Sequence, residues 1–370
     1  MHQQSAPGKE IPTDMELIKI KLGELESFCS GETFKKFGIK PVSPLRIKSY
    51  LANPRAKNED TVLYMLIEGK KLIAFRTILP DTVYSENNPI RFGWCSGIWV
   101  DPEYRGQKRW KLLLEEALKD WENRLMFTNY APKVLLLYTG EDWFHLLSNR
   151  RGYRFYLNPD FKEILKNRIS GPVVKPLPVL ANAVANLVYH IKKLFLPPIE
   201  NVRIKESDRL DQECIDLIHS YSGISLFKRE EREIDWIING HWVMEESDPE
   251  FHYPFSYDNI RHRIKIAKYF VRDIFAGFFI YSIVNRKMKI LYYYQTPEPD
   301  VSIATSIVKT AVTNKISHLT ILSPSLSETV KRLSVYFLFT KHYQSNIYST
   351  FSVNTDGKVI FDGDGDNSFT

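Results

Sequence analysis

Only three cysteines occur in 370 residues, Cys29, Cys95 and Cys214, far apart and with no CxxC pair. That scarcity excludes a disulfide framework and a cysteine-built zinc site, and it fits a reducing compartment. Long apolar runs are missing as well. None reaches membrane-spanning length without charges, and the opening MHQQSAPGKEIPTD lacks the apolar core of a signal peptide. A cytoplasmic protein is the expectation. Neither sign of charge is in large excess: 50 Lys and Arg face 44 Asp and Glu, for a net +6. This suits an anionic cofactor and gives no reason to expect DNA. P-loop, HExxH, GxSxG and GxGxxG elements are all absent. Asp362, Asp364 and Asp366 begin like an EF-hand loop, but no bidentate Glu follows. They read as an acidic turn, and no metal is expected.

Apolar material, by contrast, is ample. The chain is 44% hydrophobic and 13% aromatic, and its length favours two domains. Composition shifts between Ser170 and Glu200, where five prolines bracket an Ala/Leu/Val-rich helix carrying Lys192 and Lys193. The expected division is therefore 1–168, a linker helix over 169–200, and 201–370. The helix reads as an inter-domain element. The alternative is an interfacial helix making peripheral membrane contact through 177–196.

The most informative stretch is Phe92 to Trp121, FGWCSGIWVDPEYRGQKRWKLLLEEALKDW. An apolar strand over Phe92–Val100 runs into a Pro-containing turn, a basic loop and an amphipathic helix. Trp110, Leu114, Ala117, Leu118 and Trp121 form that helix's apolar stripe. Arg105, Lys108 and Arg109 stand where the helix begins. There, backbone N–H groups and the positive end of the dipole favour an anion, and Gly106 permits close approach. Ahead of it, 62–68 and 72–79 form a hairpin around Gly69-Lys70-Lys71. An opening helix is expected over 14–37, a strand over Val134–Thr139 and a helix over Trp143–Arg150. Arg46 and Lys48 lie in a basic, proline-bracketed segment; they are candidates for an anionic acceptor, with a solvated loop face as the alternative.

This arrangement resembles the GNAT superfamily of acyl-CoA-dependent N-acyltransferases, in which V-x-P-x-x-R-G-x-G-x-G follows the strand. Val100, Pro102, Arg105 and Gly106 match, whereas Lys108 and Trp110 replace the later glycines. The resemblance implies an α/β fold whose central sheet is mixed, mostly antiparallel and flanked by helices. It implies acetyl-CoA, or another acyl-CoA, as co-substrate. The pyrophosphate would lie on Arg105, Gly106, Gln107, Lys108, Arg109 and Trp110. The pantetheine arm would pair with the main chain of Ile98, Trp99 and Val100. Many members have a Tyr four residues before a Gly-Phe pair, placed to protonate the CoA thiolate. Here Gly152-Tyr153 resembles that pair and Ser148 takes the Tyr position, which leaves Tyr138, Ser148 and Tyr153 as catalytic candidates. Glu68, Glu141, Asp142 and His145 lie near enough in the chain to be considered as the base, and none is singled out. Cys95 reads as a buried, inert thiol.

From 201 onward the same order of elements recurs without obvious identity, so the chain resembles a tandem GNAT arrangement. The second copy has Thr296-Pro297-Glu298-Pro299-Asp300 where the phosphate loop would be. Its carboxylates argue against phosphate there. The expected activity is transfer of an acyl group from CoA to a small-molecule or peptide amine. Two alternatives stand beside it: a Fem-like transferase using aminoacyl-tRNA, and a non-catalytic scaffold.

Overall fold

The computed structural model describes residues 15–85, 88–128, 132–140, 142–161, 164, 176–195, 202–240, 251–255, 262–296 and 301–365. These fall into two compact units. One is drawn from 1–82, 91–127 and 242–258, the other from 83–90, 128–241 and 259–370.

The first unit opens with β1 (Met15–Lys21), where an opening helix was expected. Ile18 and Ile20 alternate with Lys19 and Lys21, a period of two that a β-branched residue reinforces. Helices α1 (Leu22–Ser30), α2 (Glu32–Lys36) and α3 (Pro44–Leu51) follow. Ser43 caps α3 by accepting from Arg46 N, with Pro44 in the first turn. Then come β2 (Thr61–Glu68), β3 (Lys71–Ser85), β4 (Asn88–Val100), α4 (Arg109–Asp120) and β5 (Leu125–Thr128). The strand order is β1-β2-β3-β4-β5. β1 and β2 are antiparallel, as are β2 and β3, while β5 is parallel to β4. Helix α4 buries Leu113, Leu114, Ala117 and Leu118. Its outer face is tied to β1 by Lys19, whose Nζ lies 2.8 Å from Glu116 and 3.0 Å from Asp120.

The second unit begins with α5 (Pro132–Thr139) and β6 (His145–Tyr156), the reverse of the expected strand and helix. A short apolar run has no period of its own to distinguish the two states. Leu136 is 73% exposed, which a buried strand would not allow. The second reversal has a tertiary cause. β6 lies between β11 (His318–Ile321) and β12 (Phe339–Ser349), antiparallel to both. A Cβ at Gly152 would stand 2.0 Å from the Ile321 carbonyl oxygen. Gly152 therefore lets two backbones touch and does not end a helix.

Between β6 and β11 run α6 (Pro176–Phe195), β7 (Val202–Ser207), α7 (Gln212–Tyr221), α8 (Glu231–Asn239), β8 (His262–Val271), β9 (Ile274–Val284), β10 (Lys287–Gln295) and α9 (Val301–Thr313). Helix α10 (Pro324–Arg332) precedes β12. The unit's strand order is β12-β6-β11-β10-β9-β8-β7. Phe155, Phe279, Tyr281, Ile307, Leu319 and Ile321 lie in one continuous core.

The element order is thus duplicated: a strand, helices, a three-stranded antiparallel meander, a helix and a parallel strand. This is a mixed α/β architecture in which one order of elements occurs twice. The last strand following the first copy, β6, completes the sheet of the second. Helix α6 leaves Leu180, Val184, Leu187 and Ile191 exposed on one stripe. Among the described residues no helix is long and apolar enough to cross a membrane.

Asp362 and Asp364, expected in an acidic turn, are buried. Arg150 Nη1 donates to the carbonyls of Phe361 (3.1 Å) and Asp364 (3.2 Å). Asp364 accepts from Tyr292 Oη at 3.3 Å, Phe361 N at 2.8 Å and Arg229 Nε at 3.4 Å. Asp362 accepts from Leu322 N. Asp366 lies outside the described residues.

Candidate functional site

The site is built from the end of β4. Parallel pairing with β5 covers Gly93–Leu125 and Trp94–Met126 and goes no further, whereas β4 continues to Val100. A Cβ at Gly93 would stand 2.3 Å from Ile78 Cγ2, so only glycine lets the strands close at this point. Beyond it, Ile98, Trp99 and Val100 are half-buried. The Trp99 ring stacks on Phe75, with centroids 5.8 Å apart. Its side chain is committed to packing, so its main chain is the part available to a ligand.

Past Val100 the chain makes one short 3-10 turn over Pro102–Tyr104, capped by Asp101, which accepts from Glu103 N. Arg105 Nε donates to the Val100 carbonyl at 3.3 Å and pins the loop to the strand. Gly106 takes φ +83 and Lys108 φ +58. Lys108 is the N-cap of α4 and gives no side-chain cap. A Cβ disfavours positive φ. The backbone nonetheless adopts the left-handed conformation that a glycine would take, at a cost of about 1 kcal/mol. Gln107 Nε2 donates to Glu103 O at 3.4 Å, and its Oε1 accepts from Arg109 Nη2 at 3.1 Å. Arg109 Nε is buried with no hydrogen-bond partner among the described residues. Trp110 is half-buried at the first turn.

The local carboxylates turn away from this loop. Asp101 and Glu103 both engage Lys71, at 3.1 and 2.6 Å, and hold its ammonium above its ordinary range. The Glu103 amide, more than Lys71, keeps Asp101 below the usual carboxylate range. Glu68 accepts from Tyr104 Oη. Arg105, Lys108 and Arg109 therefore give the helix start its net sign, and that sign suits an anion.

A second polar centre lies against β4 at Ser96. Arg46, expected on an exposed loop or facing an acceptor, is fully buried. Its guanidinium donates to Tyr50 Oη (3.0 Å), Tyr253 Oη (3.0 Å) and the Ser96 carbonyl (3.0 Å). Burial opposes the charge, and the contacts with Tyr253 and Tyr50 outweigh it. Arg46 is a structural cross-link, while Lys48 stays exposed. No local pattern signals this role, because the partner Tyr253 is far away in the chain.

The catalytic candidates all lie in the second unit. Tyr138 is buried on α5 and stacks on Phe144, with centroids 5.6 Å apart. Ser148 is on strand β6, opposite Ile347 of β12, so the helical spacing behind its candidacy does not exist. Tyr153 Oη donates to Glu328 at 2.6 Å and accepts from Lys331 Nζ at 2.8 Å. Asp142 sits in a turn at φ +55, His145 is exposed, and Glu141 lies outside the described residues. Burial pushes the Cys29 and Cys214 thiols up to about 12, so neither is a poised thiolate, and Cys95 is buried. In the second copy, 297–300 lies outside the described residues.

No family model and no curated protein matches the chain. Among solved structures it is similar to Saccharomyces cerevisiae N-myristoyltransferase with bound myristoyl-CoA, at 12% identity and TM-score 0.49 over 96% of this chain and 92% of that one. It is also similar to a GCN5-related N-acetyltransferase from Anabaena variabilis (10% identity, TM-score 0.47, 90% of this chain and 72% of that one). A third similar structure is a GCN5-related N-acetyltransferase from Kribbella flavida (10% identity, TM-score 0.42, 90% and 70%). Identities this low, with TM-scores below 0.5, leave the functional reading to the site itself.

Proposed function

We propose that the chain is an acyl-CoA-dependent N-acyltransferase, most simply an N-acetyltransferase, with its cofactor site in the first unit. One observation carries the reading. The loop from Arg105 to Arg109 holds the backbone of a phosphate cradle, with positive φ at Gly106 and Lys108, directly at the start of α4. Main-chain amides from Gly106 to Trp110 would take the pyrophosphate, helped by the charges of Arg105, Lys108 and Arg109. The thioester arm would run along Ile98–Val100, where β4 has left β5.

Such a site positions a thioester against a bound amine in a ternary complex. The amine nitrogen bonds to the carbonyl carbon and the C–S bond breaks. The departing thiolate gains a proton, and the new amide nitrogen loses one. Strand N–H groups would stabilise the oxyanion. The hydroxyl of Tyr153 is held by Glu328 and Lys331, which favours a packing role for it.

Calorimetric titration with acetyl-CoA tests the reading. Binding by the native chain that is lost in Arg105→Glu supports it. No heat with acetyl-CoA or CoA would remove the cofactor site and turn attention to the scaffold reading. Salt-sensitive binding of aminoacyl-tRNA would favour the Fem-like one.

A further inference from the structure

The second unit carries a basic concavity that the proposed acyl transfer does not use. Strand register assembles it. Arg154 of β6 stands opposite Thr320 of β11 on one side and Lys341 of β12 on the other. In the next row His318 stands between Tyr156 of β6 and Lys287 of β10. Alternate residues share a sheet face. The neighbours Tyr153, Phe155, Leu319 and Ile321 point into the core, which leaves Arg154, His318, Lys287 and Lys341 on the opposite face.

A cavity of about 330 Å³ lies against these residues, and a second of about 200 Å³ shares Arg154, Lys287 and His318 with it. The second also reaches Lys289. Arg154 is held in place: Nε donates to Thr320 Oγ1 at 3.3 Å, and the guanidinium lies 4.4 Å from the Tyr343 ring centroid. Among the described residues no carboxylate pairs with it. Lys341 is exposed and lies over the Phe339 and Tyr156 rings. The single acid on either lining is Asp160, whose carboxylate accepts from Asn182 Nδ2 at 2.9 Å. Burial first, then Arg154 and Lys287, depress the His318 imidazole to about 3, so it is neutral at pH 7 in a positive field.

An ordered arginine, flanking lysines and a void too large for one water make a receptor for an oxyanion. We infer that the Arg154–His318–Lys341 cavity binds a phosphate-bearing ligand. The guanidinium edge of Arg154 would take two oxygens, Lys341 and Lys287 would add charge, and the stacked Tyr343 would keep the arginine oriented. The group could belong to a soluble phosphate ester or to the monoester headgroup of a lipid.

The test follows the His318 imidazole resonance by NMR at pH 7, assigned by its loss in His318→Gln, during titration with inorganic phosphate. Saturable movement is expected. Lys341→Glu should weaken it by about ten-fold or more, since it replaces an attractive charge with a repulsive one. Lys48→Glu makes the same change of net charge at an exposed site in the other unit and should leave it alone. Sedimentation with phosphatidylcholine vesicles, with and without phosphatidic acid, separates the sources. Capture that requires phosphatidic acid and is reversed by free phosphate indicates a lipid headgroup; a response to free phosphate alone indicates a soluble ester. Absence of saturable movement, or equal weakening by Lys341→Glu and Lys48→Glu, would overturn the assignment. Because the readout sits at His318, it is independent of whether the first unit binds CoA.

Discussion

The buried Asp362 and the half-buried His318 of the second unit titrate with opposite effects on stability, and their near-cancellation can be taken apart. Asp362 is raised from 3.8 to about 6, chiefly by burial, against the pull of Leu322 N and Arg150. Between about pH 4 and 6 the folded chain thus keeps a proton that the unfolded chain has released. Acidification through that window stabilises the fold by about 1.4 kcal/mol per pH unit. His318 is lowered from 6.5 to about 3. Between those values the unfolded chain holds a proton that the folded chain lacks, so acidification destabilises by about the same slope. From pH 6 to pH 4 the two contributions offset. Asp362→Asn should therefore lose roughly 3 kcal/mol over that interval relative to the native chain, and His318→Gln should gain by a similar amount. Urea unfolding at pH 4, 5 and 6 in phosphate-free buffer measures both slopes. Native and variant curves that run parallel would refute the burial argument for that residue.

Lys108→Gly should leave stability within about 1 kcal/mol of native, because relief of the left-handed strain offsets the greater freedom of the unfolded chain. Lys108→Val, with a branched Cβ at φ +58, should cost about 1–2 kcal/mol, read as a lowered melting temperature. Gly152→Ala places a Cβ 2.0 Å from the Ile321 carbonyl oxygen and should cost about 2–3 kcal/mol; a neutral result in denaturant unfolding would contradict the β6–β11 pairing. Arg46→Met should cost about 3 kcal/mol or more, because it removes the donor that satisfies Tyr50, Tyr253 and Ser96 in a dry interior.

What was legible in the sequence is what local chemistry dictates. The Gly69-Lys70-Lys71 hairpin, the strand into Val100, the Pro102–Gly106 punctuation and the α4 stripe all have periods or turn residues of their own. The failures lie where a distant partner decides. β6 is a strand because β11 and β12 flank it, and Gly152 looks like a helix terminator until Ile321 is beside it. Arg46 sits in a proline-bracketed basic segment that reads as exposed, and it is buried by hydroxyls from three separate stretches of chain. The motif gap at Lys108 was visible; that its backbone would still turn left-handed was not, since a substituted residue can take a glycine's φ when its surroundings hold it there. The tail's aspartates were legible as acidic and illegible as buried, because Arg150 and Arg229 reach them from far along the chain.

The most direct test of the cofactor site is amide hydrogen exchange with and without acetyl-CoA. Pantetheine pairing along β4 and a pyrophosphate on the helix start predict slowed exchange in two segments together, 98–100 and 106–110, with no such change in Arg105→Glu. Protection confined to other segments, or none at saturating acetyl-CoA, would contradict the account.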